Sequence, residues 1–402
     1  MTKSNKHALV FGGTGLIGWG VVNELLSAYP EHGVFDRVTA VTNRPLKLED
    51  TYWPEASPGV PELQICSGVD LLNGTGEQLA ANLEKRVPGV GGITHVFYFV
   101  FTSFSDDYEQ ECALNCGMMR RVAAAVNVLC PGLESFVYSG GTRGYGIYDP
   151  RVAFKAPLEE HMTSQLPEDY AKTVAYPWFR EILTEAAAKG RGWAWTEVCP
   201  DVVVGFSPIG SGYSLALHWA QYLSLYAFNH GIRGSNAEEK RVEVPFPGNE
   251  AGFDARFTQA STRILGRISI FASLNPDKLG RQVINTLDDP TPSTFRELWP
   301  QIAGWFGLMG VGPSENNDSS SLAPGDYISE HKHLFEKHGC PKGVTAGVGA
   351  GSKQLDAVGY WLNFNRQLSA DKLRSAGFTE QQLPADSWMD TFRRLRLAGI
   401  IF

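Results

Sequence analysis

Glycine recurs at positions 12, 15 and 18 in the run Gly12-Gly13-Thr14-Gly15-Leu16-Ile17-Gly18. The run lies between a strand-like Ala8–Phe11 and a helix-like stretch. Each of the three has a physical purpose in that context. The tight turn needs backbone freedom, a pyrophosphate needs close approach to the main chain, and the helix must pack against the sheet. Main-chain N–H groups of Thr14, Gly15, Leu16 and Ile17 at the helix head, with the positive end of the helix dipole, suit phosphate oxygens. The expected ligand is a dinucleotide.

The end of the second strand decides which dinucleotide. A site for NAD tends to place Asp or Glu there, to hold the ribose 2′-hydroxyl. This chain instead reads Thr42-Asn43-Arg44-Pro45. With no carboxylate present, Asn43 and Arg44 are assigned to a 2′-phosphate, which a guanidinium holds by charge-assisted hydrogen bonds. NADPH is therefore the expected cofactor. After the third strand comes Val69-Asp70-Leu71, where Asp70 and Leu71 are expected to meet the adenine edge.

Other residue types with chemical potential carry less. The six cysteines (Cys66, Cys112, Cys116, Cys130, Cys199 and Cys340) have no regular spacing. Cys112 and Cys116 lack a second Cys/His pair at finger-like distance, so all six are read as small buried apolar residues and no metal is expected. His331, His333 and His338 fall in a charged segment that reads as a solvated helix face. The formal net charge is −8, and no cluster of Lys and Arg could track a nucleic-acid backbone. No apolar run approaches the roughly 20 residues that cross a bilayer, so no membrane partner is expected. The segment Met1–His7 runs into the first strand without an apolar signal region, and a cytoplasmic location is expected.

These motifs need elements to position them. Short β-rich runs occur at Ala8–Phe11, Val38–Thr42, Leu63–Cys66, His95–Val100, Ser135–Tyr138 and Thr196–Val204. Helix-like stretches alternate with them at Gly18–Tyr29, Glu77–Lys85, Glu109–Val128 and Pro177–Lys189. Alternation of this kind predicts an α/β fold: an NAD(P)-binding Rossmann domain whose parallel sheet carries helices on both faces. Further helices are predicted over Tyr213–His230, Arg256–Ser273 and Ser293–Phe306. Loops are predicted over 309–326 and 339–352. With 402 residues, two lobes are expected: a Rossmann domain over 1–205 and a smaller, mainly helical substrate-binding lobe over 206–402. The boundary is approximate, and some chain is expected to cross back.

Taken together, the motifs resemble the progesterone 5β-reductase/iridoid synthase-like enzymes, a branch of the extended short-chain dehydrogenases. The resemblance runs nearly end to end. It includes the glycine run, Thr42-Asn43-Arg44-Pro45, Thr94-His95-Val96-Phe97-Tyr98 and Gly205-Phe206-Ser207-Pro208. It continues through Pro245-Phe246-Pro247-Gly248, Phe257-Thr258-Gln259-Ala260-Ser261, Glu297-Leu298-Trp299-Pro300, Trp305-Phe306-Gly307-Leu308 and Ser387-Trp388. It implies NADPH-dependent reduction of an enone or ketone of a small hydrophobic metabolite, of the kind met in secondary metabolism. A homodimer is left open.

The resemblance also implies a catalytic pair. Its lysine position is occupied by Arg143, in Thr142-Arg143-Gly144-Tyr145, and its tyrosine position by Tyr176, in Ala175-Tyr176-Pro177. A tyrosine hydroxyl near the reacting oxygen can donate a hydrogen bond and then a proton. With an ordinary pKa of about 10, it is expected to need a cation that lowers it, and Arg143 is that cation. Arg180, one helical turn after Tyr176, is expected to share or replace Arg143 in that role. Tyr145 ranks behind Tyr176. Ser139, Val203 and Ser211 are assigned by the resemblance to the nicotinamide side, and Tyr176 is assigned there as well. Phe101, Phe104, Tyr213, Trp219 and Phe246 are expected to wall the pocket. The replaced lysine leaves two other readings open. One is redox-neutral chemistry (isomerase, epimerase or cyclase), and the other is a non-catalytic NADP sensor.

Overall fold

Continuous apolar runs bounded by glycine turns have no solvated face, so each strand must be covered on both sides. A computed structural model describes residues 6–103, 107–152, 155–232, 241–314, 323–347 and 355–402. Seven strands form one parallel sheet: β1 (His7–Phe11), β2 (Arg37–Thr42), β3 (Glu62–Ser67), β4 (His95–Tyr98), β5 (Ser135–Ser139), β6 (Ala194–Pro200) and β10 (Gln282–Thr286). Their spatial order is β3-β2-β1-β4-β5-β6-β10. The chain reverses direction across the sheet between β1 and β4. Ligands bind at such a switch point, outside the carboxyl ends of the strands.

Helices α1 (Leu16–Leu26), α2 (Gly76–Arg86), α3 (Tyr108–Leu129), α4 (Glu168–Ala171) and α5 (Ala175–Lys189) connect the strands. Alternate strand residues Leu9, Phe11, Val96, Tyr98, Phe136 and Tyr138 share one apolar core with α2, α3 and α5. The opposite strand faces lie under α1 and α8 (Thr262–Leu274), which pack on each other. Gly20 makes that crossing close: a Cβ there would lie 2.5 Å from the Thr262 carbonyl oxygen. The seventh strand was not expected. Its sequence, Gln282-Val283-Ile284-Asn285-Thr286, has only two apolar residues, and it pairs in parallel with β6 at the edge of the sheet.

Two compact units result. The first comprises 1–201, 262–287 and 369–380, and the second 202–261, 288–368 and 381–402. Two stretches of the expected C-terminal lobe therefore belong to the first unit. The expected single strand Thr196–Val204 ends at Pro200. Beyond it, β7 (Val202–Val204) pairs with β9 (Gln259–Ser261) in the second unit. The helix expected over Arg256–Ser273 begins only at Thr262. Asp288 accounts for this: its carboxylate accepts from the Ser261 N–H and hydroxyl, both at 2.6 Å, and from Gln259. Such side-chain bonds hold residues 259–261 out of the helix.

The second unit contains α6 (Leu215–Asn229), β8 (Glu243–Pro245), α7 (Glu250–Asp254), α9 (Phe295–Gly304), β11 (Met309–Val311) and a C-terminal helix, Pro384–Leu397. Trp219, Trp299 and Trp388 are fully buried at its centre against Phe246 and Phe295. The expected loop at 309–326 opens as β11, while 315–322 and 348–354 lie outside the described residues.

Candidate active site

The chain leaving β1 must turn at once into α1. Gly12 does so at φ +77°, in the left-handed region, and its N–H donates to the Val41 carbonyl at 3.0 Å. A Cβ at Gly12 would lie 2.5 Å from the Phe99 carbonyl oxygen, and one at Gly18 would collide with the Gly12 carbonyl. Gly15 differs. It is the N-cap of α1, and the nearest protein atom to an added Cβ is the Gly12 oxygen at 3.2 Å. No side chain caps α1, and its first turn holds no acidic residue. Its N-terminal dipole is thus uncompensated by a cap or a carboxylate of its own first turn, which suits an anion. Thr14 and Leu16 are buried here and Ile17 is half-buried.

Asn43 and Arg44 are exposed at the carboxyl end of β2, and the Thr42 hydroxyl donates to the Arg44 carbonyl at 2.8 Å. Among the described residues, the Arg44 guanidinium has no ion-pair partner. Asp70 is engaged within its own loop. Its carboxylate accepts from the Asn73 amide and the Leu72 N–H, both at 2.7 Å, and these bonds hold it below the usual carboxylate range. Arg121 of α3 fixes that loop through the carbonyls of Gly74 and of the buried Leu71.

At the carboxyl end of β5 the chain passes through Ser139-Gly140-Gly141 into a single 3-10 turn, Thr142–Tyr145. A Cβ at Gly140 would strike the Glu197 carboxylate. The half-buried Ser139 donates its hydroxyl to the Gly140 carbonyl at 3.0 Å. Tyr176 stands in the first turn of α5, followed by Pro177, whose missing N–H is not needed there. The Tyr176 hydroxyl lies over Gly141, 3.2 Å from where a Cβ would sit, so glycine makes the room it occupies. The Phe101 ring is 6.3 Å from the Tyr176 ring.

Arg143 points to the same place. It donates to the Glu111 carboxylate at 2.6 Å and to the Thr173 carbonyl at 3.0 Å, with its guanidinium 4.9 Å from the Tyr108 ring centre. The expected lowering of the Tyr176 pKa does not occur. Burial dominates and pushes the hydroxyl well above the usual tyrosine range. Arg143 opposes that effect, while Cys199, Glu197 and Glu111 add to it. Tyr176 is therefore a neutral phenol, a donor rather than a base.

Arg180 does not share this role. Its guanidinium grips Glu197 with both arms, at 2.8 and 3.1 Å, and Glu197 also accepts from the Tyr138 hydroxyl at 2.8 Å. Glu197 is fully buried in β6, so the charge of Arg180 is committed to it. Tyr145 is a core residue whose hydroxyl donates to Asn285 at 2.6 Å. Trp219 and Phe246 are core residues of the second unit rather than an exposed wall, and Phe104 lies outside the described residues. Val203 and Ser211 are half-buried in the second unit, and Tyr213 there is exposed.

Glu111, Glu197, Tyr108 and Thr173 were missed from sequence. Two signals were present. Glu111 falls on the buried stripe of α3 with Asn115, Met118 and Val122, and Glu197 interrupts an apolar central strand. A charge in either place demands a partner. Five of the six cysteines are buried and all are free. Among the described residues, no group of three His, Cys, Asp or Glu could hold a metal ion.

A family model described as a PRISE-like Rossmann-fold domain matches residues 8–402. Among curated relatives, the short chain dehydrogenase ausT of Aspergillus calidoustus is 30% identical over 99% of this chain and 95% of its own length. The short chain dehydrogenase sirQ of Leptosphaeria maculans is also 30% identical, over 98% and 97%. The (S)-8-oxocitronellyl enol synthase ISY2 of Nepeta cataria is 23% identical over 88% and 79%. Among solved structures, epimerase Mth375 of Methanothermobacter thermautotrophicus superposes with a TM-score of 0.61 at 15% identity, covering 98% of this chain and 93% of that one. A short-chain dehydrogenase/reductase superfamily protein of Agrobacterium tumefaciens gives 0.54 at 17%, covering 98% of each. At these identities the structural likeness shows the fold.

Proposed function

The chain belongs to the PRISE-like Rossmann-fold family, and from that premise we propose that it is an NADPH-dependent reductase acting on an enone or ketone of a small hydrophobic metabolite. Its full-length relatives named short chain dehydrogenases support an oxidoreductase. The observation that carries the reading is the Tyr176 hydroxyl, a neutral donor beside Arg143 at the carboxyl edge of the sheet that also bears the glycine turn.

The chain's own residues fit the cofactor. The turn at Gly12–Gly18 presents main chain where side chains would collide, the head of α1 suits a pyrophosphate, and Arg44 suits a 2′-phosphate. When bound, the nicotinamide supplies the hydride. Tyr176 donates a hydrogen bond to the substrate oxygen as negative charge develops there, then releases its proton to it. Arg143 stabilises the phenolate left behind. Phe101, packed on Tyr176, offers an apolar surface on the substrate side and excludes water from it.

The test is a panel of cyclic enones incubated with the protein and NADPH. One NADPH consumed per molecule of product is the expected result. The presence of arginine at position 143 favours a second reading, redox-neutral chemistry, since the implied catalytic residue there is lysine. Product formed without net NADPH consumption would select it. Tight NADPH binding with no product from any substrate would leave the NADP-sensing role.

A further inference from the structure

Arginine at position 143 raises a physical difficulty. A guanidinium keeps its charge at every accessible pH and needs several acceptors, and a bare one beside Tyr176 would draw the phenol toward ionisation. The chain answers with a carboxylate that the reductase reading leaves unassigned. Glu111 is only 3% exposed and lies in the first turn of α3. It accepts from Arg143 at 2.6 Å. From the same helix, one turn's reach away, Tyr108 stacks on the guanidinium, and Thr173 before α5 accepts its other arm at 3.0 Å. The Tyr170 hydroxyl meanwhile ties down the Arg143 carbonyl at 3.1 Å. The guanidinium is therefore gripped from two elements, α3 and the segment before α5, while the main chain behind it is tied from α4.

We propose that Glu111 is a positioning residue that clamps Arg143 and balances its charge, so that Tyr176 faces a neutral ion pair with one fixed orientation rather than a mobile cation. This rests on the reading of Tyr176 as the proton donor. The charged and titratable groups that bear on Tyr176 are Arg143 from the 3-10 turn, Glu111 from α3, and Glu197 and Cys199 from β6. Arg180, on α5 with Tyr176, is neutralised by Glu197. Removing the Glu111 charge takes away one of the groups that hold the phenol up. It also frees Arg143, the group that draws it down. Both changes favour ionisation.

Four proteins test the idea: wild type, Glu111→Gln, Arg143→Gln and the double variant. Each carries tyrosine labelled at the ring carbon bearing the hydroxyl, and the Tyr176 resonance is assigned by its loss in Tyr176→Phe. In Glu111→Gln, Tyr176 should titrate at lower pH than in wild type, whereas Glu111→Asp, which keeps the charge, should leave the titration where it was. With cyclohexenone as probe, Glu111→Gln should lower kcat on the order of 10–100-fold, the scale of a misplaced group, with KM for NADPH unchanged. In the Arg143→Gln background, the same change should alter kcat by no more than about twofold, since what it holds is gone. Coincident titration curves for wild type and Glu111→Gln, or kcat losses that simply multiply in the double variant, overturn the proposal. If Glu111→Gln does not fold, Arg143→Gln against the double variant, which buries no unpaired charge, carries the same kcat comparison. Failure of wild type to oxidise NADPH with cyclohexenone would count against the reductase reading alone, and the titration in the free protein would still decide the clamp.

Discussion

A hydroxyl held over a glycine and a guanidinium held by a buried carboxylate are the two residue-scale devices of the site. Burial keeps Tyr176 protonated, as the donor role proposed for it requires. Tyr176→Phe removes the donor and keeps the ring packed on Phe101, so NADPH affinity should survive while kcat falls by about 10²–10⁴-fold. Unchanged turnover would remove Tyr176 from the mechanism, and Tyr145 could not replace it, since its hydroxyl is spent on Asn285 in the core. Arg143→Lys swaps a two-armed fork for a point charge. It should keep the bond to Glu111, lose the one to the Thr173 carbonyl, and reduce kcat on the order of tenfold, the value of about one hydrogen bond. Arg44→Ala should weaken NADPH binding by roughly 1–3 kcal/mol while leaving NADH untouched. Titration of both cofactors by fluorescence checks this, and equal losses would disprove a 2′-phosphate contact.

At the scale of elements, the turn into α1 separates two kinds of glycine. Gly18 is required by the protein itself, because its Cβ would meet the Gly12 carbonyl. At Gly15 an added Cβ would meet the Gly12 oxygen at 3.2 Å, a milder contact, and the proposed cofactor accounts for its smallness as room for the pyrophosphate. Gly18→Ala should therefore lower the melting temperature, while Gly15→Val should melt near wild type yet fail to bind NADPH by calorimetry. A Gly15→Val protein that binds normally would reduce the glycine run to architecture. The cap of α2 offers a control remote from the site. The Thr75 side chain and Gln78 form a reciprocal capping box, and Thr75→Ala should cost about 1 kcal/mol of stability without changing NADPH affinity.

At the scale of the whole molecule, two compact units are stitched from discontinuous chain, and no helix among the described residues is long and apolar enough to cross a membrane. The first unit buries two histidines at the amino-terminal end of the sheet. Burial, aided by the charge of Arg37, pushes His7 down to about 4; burial, aided by Lys6, pushes His95 down to about 3. Both are neutral when folded and bind a proton near pH 6.5 when unfolded. Stability is thus fully present above about pH 6.5 and is lost as pH falls toward 4, because only the unfolded chain takes up protons in that window. The melting temperature should fall across that range, and His7→Gln with His95→Gln should flatten the slope. An identical slope in the double variant would disprove the linkage.

Local pattern was enough for the glycine turn, six of the seven sheet strands, the exposed Arg44 and the position of Tyr176. These depend on periodicity and on backbone conformations that short stretches impose by themselves. The seventh strand was not legible, because Gln282–Thr286 carries only two apolar residues and is made a strand by its long-range pairing with β6. Nor was the true start of α8, which buried bonds to Asp288, a residue distant in sequence, set at Thr262. The site divided in the same way. Sequence placed Arg143, Tyr176 and Arg180 together but could not say which carboxylate each arginine held, since that depended on where Glu111 and Glu197 lay. A carboxylate in an apolar stripe declares that a partner exists, but only the tertiary structure names the partner. Here it gave Arg180 to Glu197 and Arg143 to Glu111, and its burial of the Tyr176 hydroxyl keeps that phenol neutral, as the proposed donor role requires.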